Sequence, residues 1–392
     1  MKKIKDLENL NQKVVLLRVD LNVPLKDKKV MDDTRIKKVI PTILHLLNHN
    51  AKIILLTHIG RPKGKKKSEL SLQPVCQYLK KELSIEIRLI TQDIKYLNKK
   101  DIFQNSNEKL VLLENIRFYP EEENDDNEFA KNLANLGDIY VNEAFSCSHR
   151  AHASVSNITK FISSYGGLHL INEINALNKI TQDIKRPISC IIGGSKISTK
   201  LKLIKNLATK YDNIIIVGAM ANNFIKFNGQ SIGKSFFEKD SDSIVKQIYD
   251  KAKINKCKVL CPIDYSVGKD IFDTSKNKKI NEIEKDDLIL DIGKETVEFI
   301  KNIINSSKTI LWNGPAGYFE NENFAIGSYE IAKEISDKTN NNNLFSVVGG
   351  GDTVAVLNKL NLINKINFVS TAGGAFLEYL EGKKLPGIKS LN

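Results

Sequence analysis

Arginine is scarce in this 392-residue chain, and its placement is uneven. The seven arginines, Arg18, Arg35, Arg61, Arg88, Arg117, Arg150 and Arg186, all fall within the first 186 residues. All six histidines precede residue 170. Glycine does the opposite, with five before residue 193 and seventeen from Gly193 onward. Guanidinium forks match phosphate or carboxylate oxygens in pairs. Glycine turns instead let backbone N–H groups approach a phosphate closely. The two halves therefore point to two anion-binding surfaces of different kinds.

In the front half, Asp20, Asn22, His58, Arg61, Arg117 and Arg150 each follow a run that reads as a buried strand. In open α/β sheets that rim is where ligands bind. Any one of these residues would pass as a turn acceptor or a surface charge. Together with Arg35 they describe a site for a small, multiply anionic substrate. Two charge runs lie nearby. Lys63–Lys67 reads as a solvated loop that draws anions toward the rim. Glu121–Glu128 reads as the acidic start of the next helix, with no metal role.

In the back half, Ile191–Lys200 reads as a strand end, a Gly193-Gly194 turn and a helix start, with Ser195 or Ser198 as cap. Lys196 and Lys200 flank that start, where backbone N–H groups favour an anion. The spacing is not that of a P-loop. Further strand ends open into Gly218, Trp312–Gly317, Gly349–Thr353 and Ser370–Gly374. Asp352 and Thr353 after three glycines suit a Mg²⁺–nucleotide, since a carboxylate beside a phosphate cradle is a magnesium ligand. No GxGxxG occurs, which argues against a nicotinamide site.

These residues need a scaffold of alternating strands and helices. Strands are predicted at 13–19, 53–57, 86–90, 110–114 and 139–142, with helices at about 36–49, 72–83 and 129–136. The amphipathic stretch from about Leu170 to Ile184 reads as a connector. The alternation then restarts with strands at 188–192, 213–217, 259–260, 288–291, 309–312, 344–348 and 367–369. Such alternation predicts parallel sheets with right-handed crossovers.

Length allows two domains of ordinary size, and 41% apolar content describes a globular chain. No apolar run is long enough to span a membrane, and the N-terminus lacks the apolar core of a secretory signal. Five scattered cysteines, without ligand spacing, argue against disulfides and zinc and fit a reducing cytosol. The net charge of +13 comes from lysine excess and reads as compositional bias. A nucleic-acid-binding protein would instead carry lysine stripes interleaved with aromatics, which Lys63–Lys67 lacks. A kinase for some other small acid stays open on these residues alone.

The ordered motifs resemble those of the phosphoglycerate kinases. They are RVDLNVP (18–24), DDTRI (32–36), THIGRPKG (57–64), LLENIRFYPEEE (112–123), NEAFSCSHRAHAS (142–154), GGSKISTK (193–200), LWNGPAGYFE (311–320), VVGGGDTVAV (347–356) and STAGGAFLEYLEGKKLPG (370–387). The resemblance implies two doubly wound, Rossmann-like parallel-sheet domains joined by a connecting helix and hinge. An N-terminal 3-phosphoglycerate domain would span 1–167, the connecting helix 168–185 and a nucleotide domain 186–374. The tail from about 375 to 392 would pack back on the first domain. It further implies reversible phosphoryl transfer between 1,3-bisphosphoglycerate and Mg-ADP, giving 3-phosphoglycerate and Mg-ATP, in a cytoplasmic monomer.

Carried residue by residue, the glycerate site would be Asp20, Leu21, Asn22, Arg35, His58, Ile59, Gly60, Arg61, Arg117 and Arg150. The nucleotide site would be Gly194, Lys196, Lys200, Gly293, Asn313, Glu320, Gly349, Gly350, Gly351, Asp352 and Thr353, with Asp352 on the Mg²⁺. Arg35 and Lys196 would hold the transferring phosphoryl group, with backbone N–H groups at Gly350 and Gly373 completing the cradle. The chain departs from the family pattern at Glu143, at Ser146-Cys147-Ser148, at Ala372 and at Thr199. Thr199 stands where many members carry an aspartate, leaving Asp352 as the main metal carboxylate.

Overall fold

The structure is a computed structural model that describes every residue except 8, 106 and 342. The chain forms two units, Met1–Ile174 with Lys384–Asn392, and Asn175–Lys383.

In the first unit the strands are β1 (Val14–Arg18), β2 (Leu25–Lys26), β3 (Lys29–Val30), β4 (Lys52–Leu56), β5 (Arg88–Ile90), β6 (Leu110–Leu113), β7 (Ile139–Asn142) and β8 (Ser164–Gly166). Six of them form one sheet in the order β5-β6-β4-β1-β7-β8, with every pairing parallel. All five residues of β1 are buried, as its unbroken apolar run predicts for a strand covered on both faces. The helix Thr34–Asn48 presses Ile36, Val39, Ile43 and Leu46 into that core. The β2–β3 hairpin escapes sequence reading because strands of two residues carry no periodicity. The C-terminal tail is tied to this unit through Gly387, whose N–H donates to Ser148 O at 2.9 Å. Its carbonyl accepts from Asn142 Nδ2 at 3.2 Å.

In the second unit the strands are β9 (Ile188–Ile192), β10 (Asn213–Ile216), β11 (Lys258–Leu260), β12 (Asp264–Gly268), β13 (Lys276–Lys279), β14 (Leu288–Ile292), β15 (Thr309–Asn313), β16 (Phe345–Gly349) and β17 (Phe368–Ser370). A second all-parallel sheet runs β11-β10-β9-β15-β16-β17. The expected fold class of two parallel-sheet α/β domains is thus observed. Three strands depart from it: β14, which the alternation places with the parallel strands, lies with β12 and β13 in a separate antiparallel sheet, β13-β12-β14. The connection between β12 and β13 is too short for a parallel crossover, which needs about a dozen residues or more.

The division between units falls inside the helix Leu168–Thr181, which ends short of the expected Ile184. The second crossing lies at 383/384, so the helix Gly374–Leu380, assigned from the sequence to the tail, belongs to the second unit. Glu143 receives the start of Leu168–Thr181: His169 N donates to Oε1 at 2.9 Å and Leu170 N to Oε2 at 3.0 Å. Among the described residues no helix is long and apolar enough to cross a membrane.

Candidate active site

The first unit gathers its polar residues at the C-terminal ends of β1, β4, β6 and β7. Asp20, two residues beyond β1, is 8% exposed. Its Oδ2 accepts from Arg35 Nη1 at 2.8 Å, and its Oδ1 accepts from Asn22 N at 3.0 Å. Ser146 Oγ also donates to Asp20 Oδ2. Arg35 reaches Asn22 O as well, at 3.2 Å, so the start of the helix Thr34–Asn48 is fastened to the β1 loop. Asn22 Oδ1 in turn accepts from Gly60 N at 2.9 Å, joining the β1 and β4 loops. Leu21 and Ile59 are buried beneath them, and Leu21 N donates to Thr57 Oγ1 at 3.0 Å.

His58 is buried, and burial followed by the Arg18 and Arg117 guanidinium groups pushes its pKa well below the usual imidazole value. Arg117 is 4% exposed and donates through Nη1 to Gly60 O at 3.2 Å. Its buried Nε has no hydrogen-bond partner among the described residues and lies 3.5 Å from Glu123 Oε1. Arg150 is half-buried and donates through Nε to His149 Nε2 at 3.2 Å. Arg35 and Arg117 both act on His58 electrostatically, and Arg150 acts on Arg117, so these three lie in one field. Arg61 extends from the same loop as Gly60 and is exposed.

Two charged residues under this rim were not legible as part of it. Arg18, on β1, is fully buried, donating from Nε to Ser154 Oγ at 2.8 Å and approaching His58 Nδ1 with Nη2 at 3.3 Å. Glu122, in the stretch that reads from the sequence as the acidic start of the next helix, is fully buried. Ser154 donates to its Oε2 through N at 2.9 Å and to its Oε1 through Oγ at 2.6 Å. Glu122 acts as counter-charge to Arg18, which explains why one carboxylate of that run turns inward. Cys147 also lies here: ligand atoms of Asp20, His58 and Cys147 fall within 4.8 Å of one another. Arg18 Nη2 stands beside that cluster and would repel a metal ion.

The second unit brings its glycine turns together. A Cβ on Gly193 would sit 2.1 Å from Pro315 O, and one on Gly314 would sit 2.4 Å from Gly193 C. The turns after β9 and β15 therefore touch backbone to backbone, which only glycine allows. Asn313 is the hub between them. Its Nδ2 donates to Gly349 O at 2.6 Å, and its Oδ1 accepts from Lys200 Nζ. Gly314 N donates to Thr353 Oγ1 at 2.7 Å, drawing in the Gly349-Gly350-Gly351 turn. Burial lowers the Lys200 pKa, while Glu381 and Asp352 oppose that shift. Asp352 is exposed in the first turn of the helix Gly351–Lys359. Gly373 is exposed at the start of Gly374–Leu380.

Neither serine caps the helix Leu201–Leu207, contrary to expectation. Ser198 Oγ donates instead to Glu238 Oε1 at 2.6 Å. Thr199 Oγ1 donates to Lys196 O at 2.9 Å, and Lys196 is exposed. A cleft of about 390 Å³ adjoins the turns, within the size range of small-ligand sites. Phe236, Pro262, Tyr265 and Ile289 give it apolar walls, and Gly194, Glu320 and Asp352 also line it. Gly293, expected among nucleotide contacts, is not in this lining. It stands at the start of the helix Lys294–Ser306, where a Cβ would meet Asp264 Oδ2 at 2.2 Å. Asp291 under the cleft was not anticipated. Burial raises its pKa to about 7, against hydrogen bonds from Gly327 N and Ile292 N.

A guanidinium rim on one α/β unit, and a glycine cradle beside an apolar cleft on another, are the parts of a small-molecule kinase. Comparison with known proteins specifies which. The family model described as phosphoglycerate kinase matches residues 4–383. The phosphoglycerate kinase of Wolbachia pipientis subsp. Culex pipiens (strain wPip) is 46% identical over 384 residues, 97% of each chain. That of Wolbachia sp. subsp. Brugia malayi (strain TRS) is 46% identical, covering 100% of this chain and 99% of its own. The solved phosphoglycerate kinase of Coxiella burnetii superposes with a TM-score of 0.92 at 38% identity, covering 99% of this chain and 98% of that one. The chain belongs to the phosphoglycerate kinase family. It is a kinase of glycolysis that transfers a phosphoryl group to and from a carboxyl acceptor.

Proposed function

We propose that the first unit holds the glycerate substrate and the second holds the nucleotide, with direct in-line transfer between them. Arg61, Arg117 and Arg150 pair with the C3 phosphate, while Asp20, Asn22 and neutral His58 orient the glycerate hydroxyl and carboxyl groups. In the direction of ATP formation, an ADP β-phosphate oxygen attacks the phosphorus of the acyl phosphate. The P–O bond to the carboxyl breaks, and 3-phosphoglycerate leaves as a carboxylate. No protein nucleophile is needed, so catalysis is positioning and charge stabilisation.

Arg35 and Lys196 hold the equatorial oxygens of the transferring group, where charge develops. N–H groups at Gly350 and Gly373 complete that cradle. Lys200 and the turn Gly349–Thr353 hold the nucleotide phosphates, the apolar cleft takes the base, and Glu320 takes the ribose. The donor chemistry fits Mg²⁺, since Asp352 offers a hard carboxylate at the cleft and magnesium needs only one or two beside phosphate oxygens. Asp352 would hold the ion, which would supply positive charge against the phosphate oxygens. Because the ligands sit on different units, transfer requires domain closure that excludes water. We place the enzyme in the cytoplasm as a monomer acting on small molecules, with neither nucleic acid nor membrane as partner.

The observation that carries this reading is a buried, neutral His58 in the field of Arg18, Arg117 and Arg35, with Arg150 acting on Arg117. It is tested by ATP-dependent turnover of 3-phosphoglycerate in a coupled assay. Arg117→Ala and Arg150→Ala should each raise KM for 3-phosphoglycerate by about tenfold or more. Turnover of 3-phosphoglycerate that survives both changes undiminished would remove Arg117 and Arg150 from the C3 phosphate site.

A further inference from the structure

Lys196 is exposed, and the turn that carries it is fixed to the core by the buried Ile197 side chain and by Lys200 Nζ on Asn313 Oδ1. Within the turn, Thr199 Oγ1 closes onto Lys196 O at 2.9 Å and Lys200 N donates to Ile197 O at 2.9 Å. A second hold from outside lies forty residues further on. Glu238 accepts from Ser198 twice, from N to Oε2 at 2.9 Å and from Oγ to Oε1 at 2.6 Å, using both carboxylate oxygens. A two-point grip of this kind fixes orientation as well as position.

Glu238 is itself braced from behind. Its backbone N–H donates to Asn223 Oδ1 at 2.9 Å, and the same oxygen accepts from Ser241 Oγ at 2.9 Å. The neighbouring Asn222 donates from Nδ2 to Phe236 O at 2.9 Å. Both asparagines are buried in the helix Ala221–Phe227, so the segment 236–241 is fastened to the body of the unit. Partial burial raises the Glu238 pKa, but the Ser198 hydrogen bonds, Ile197 N and the Lys196 charge together bring it below the usual carboxylate value. The carboxylate that grips the turn is therefore ionised and lies in the field of Lys196.

We propose that Glu238 is a positioning residue for phosphoryl transfer, setting Lys196 through its grip on Ser198. This rests on the reading in which Lys196 holds the transferring phosphoryl group. The asparagine pair, Glu238 and Ser198 then form one line of support from the buried helix to the reacting oxygens. Thr199, where relatives were expected to carry a carboxylate, takes a different part by closing the turn from within.

The test is a double-mutant cycle on the full-length enzyme, with Lys196→Ala measured beside it. Glu238→Ala should lower kcat about tenfold and Ser198→Ala, which keeps the backbone N–H bond, by less, both with KM for 3-phosphoglycerate unchanged, and the double variant should lose no more than Glu238→Ala alone. Glu238→Gln should recover most of the loss, because its amide still pairs with both Ser198 groups. A Glu238→Ala enzyme within about twofold of the parent kcat, or losses that multiply in the double variant, would overturn the proposal. Lys196→Ala separates the two claims. If it is harmless, the role of Lys196 falls; if it cripples kcat while Glu238→Ala does not, only the role of Glu238 falls.

Discussion

Asp20 and Arg35 form an ion pair of 2.8 Å across fifteen residues of sequence, with the arginine about one-third exposed and the aspartate nearly buried. The pair ties the loop after β1 to the first turn of the helix Thr34–Asn48, and it aims a guanidinium group with donors left over. A carboxylate on one edge of Arg35 leaves the other edge for a phosphoryl group.

Arg35→Ala should chiefly lower kcat, on the order of 10³-fold, because its contact is strongest in the transition state. KM for 3-phosphoglycerate should move far less. Steady-state kinetics decide it: a normal kcat with only a raised KM removes Arg35 from the transfer step.

Gly193→Ala should destabilise the second unit by about 2–3 kcal/mol, since the added Cβ meets backbone oxygen and no flexible side chain can yield. The contacts are Pro315 O at 2.1 Å and Gly314 O at 2.7 Å. Urea unfolding followed by Trp312 fluorescence reports on this unit, and an unchanged midpoint would show that the two turns do not need their close approach.

Glu143 gives a pH-dependent stability. Burial raises its pKa to about 7 against the hydrogen bonds from Thr42, His169 and Leu170. A raised carboxyl pKa favours the folded state while the group is protonated. That contribution is complete below the unfolded value of about 4.5 and is lost as pH rises to about 7, an effect on the order of 3 kcal/mol. Glu143→Gln should therefore flatten the fall in stability between pH 5 and 8. An identical slope in denaturant titrations of both proteins contradicts this.

Thr199→Asp should leave turnover intact and lower the Mg²⁺ concentration needed for half-maximal rate, because it adds a carboxylate to a turn that now has only the Thr199 hydroxyl there. An unchanged Mg²⁺ titration would place residue 199 away from the metal.

Much of this was legible in the sequence because parallel strands buried on both faces are near-continuous apolar runs, and β1 and β4, each with one charged end residue, are of that kind. The residues just beyond such runs fall at one rim by topology alone, so Asp20, His58 and Arg117 could be grouped without coordinates. What stayed hidden depends on pairing between distant segments. Within a run that reads as an acidic helix start, nothing marks Glu122 as the carboxylate that Ser154 and Arg18 enclose. The β14 strand was expected in the main sheet, but its partner β12 gives no strong pattern by itself. Glu238 lies in an ordinary charged loop, and only the fold brings it to Ser198.

The central claim is that the two units carry separable half-sites, and calorimetric titration of each ligand alone tests it most directly. Arg117→Ala should weaken 3-phosphoglycerate binding by at least about tenfold, near 1.4 kcal/mol, while leaving Mg-ADP binding unchanged. Asp352→Asn should do the reverse. Loss of Mg-ADP affinity in Arg117→Ala, or undiminished 3-phosphoglycerate affinity in that variant, would contradict the account.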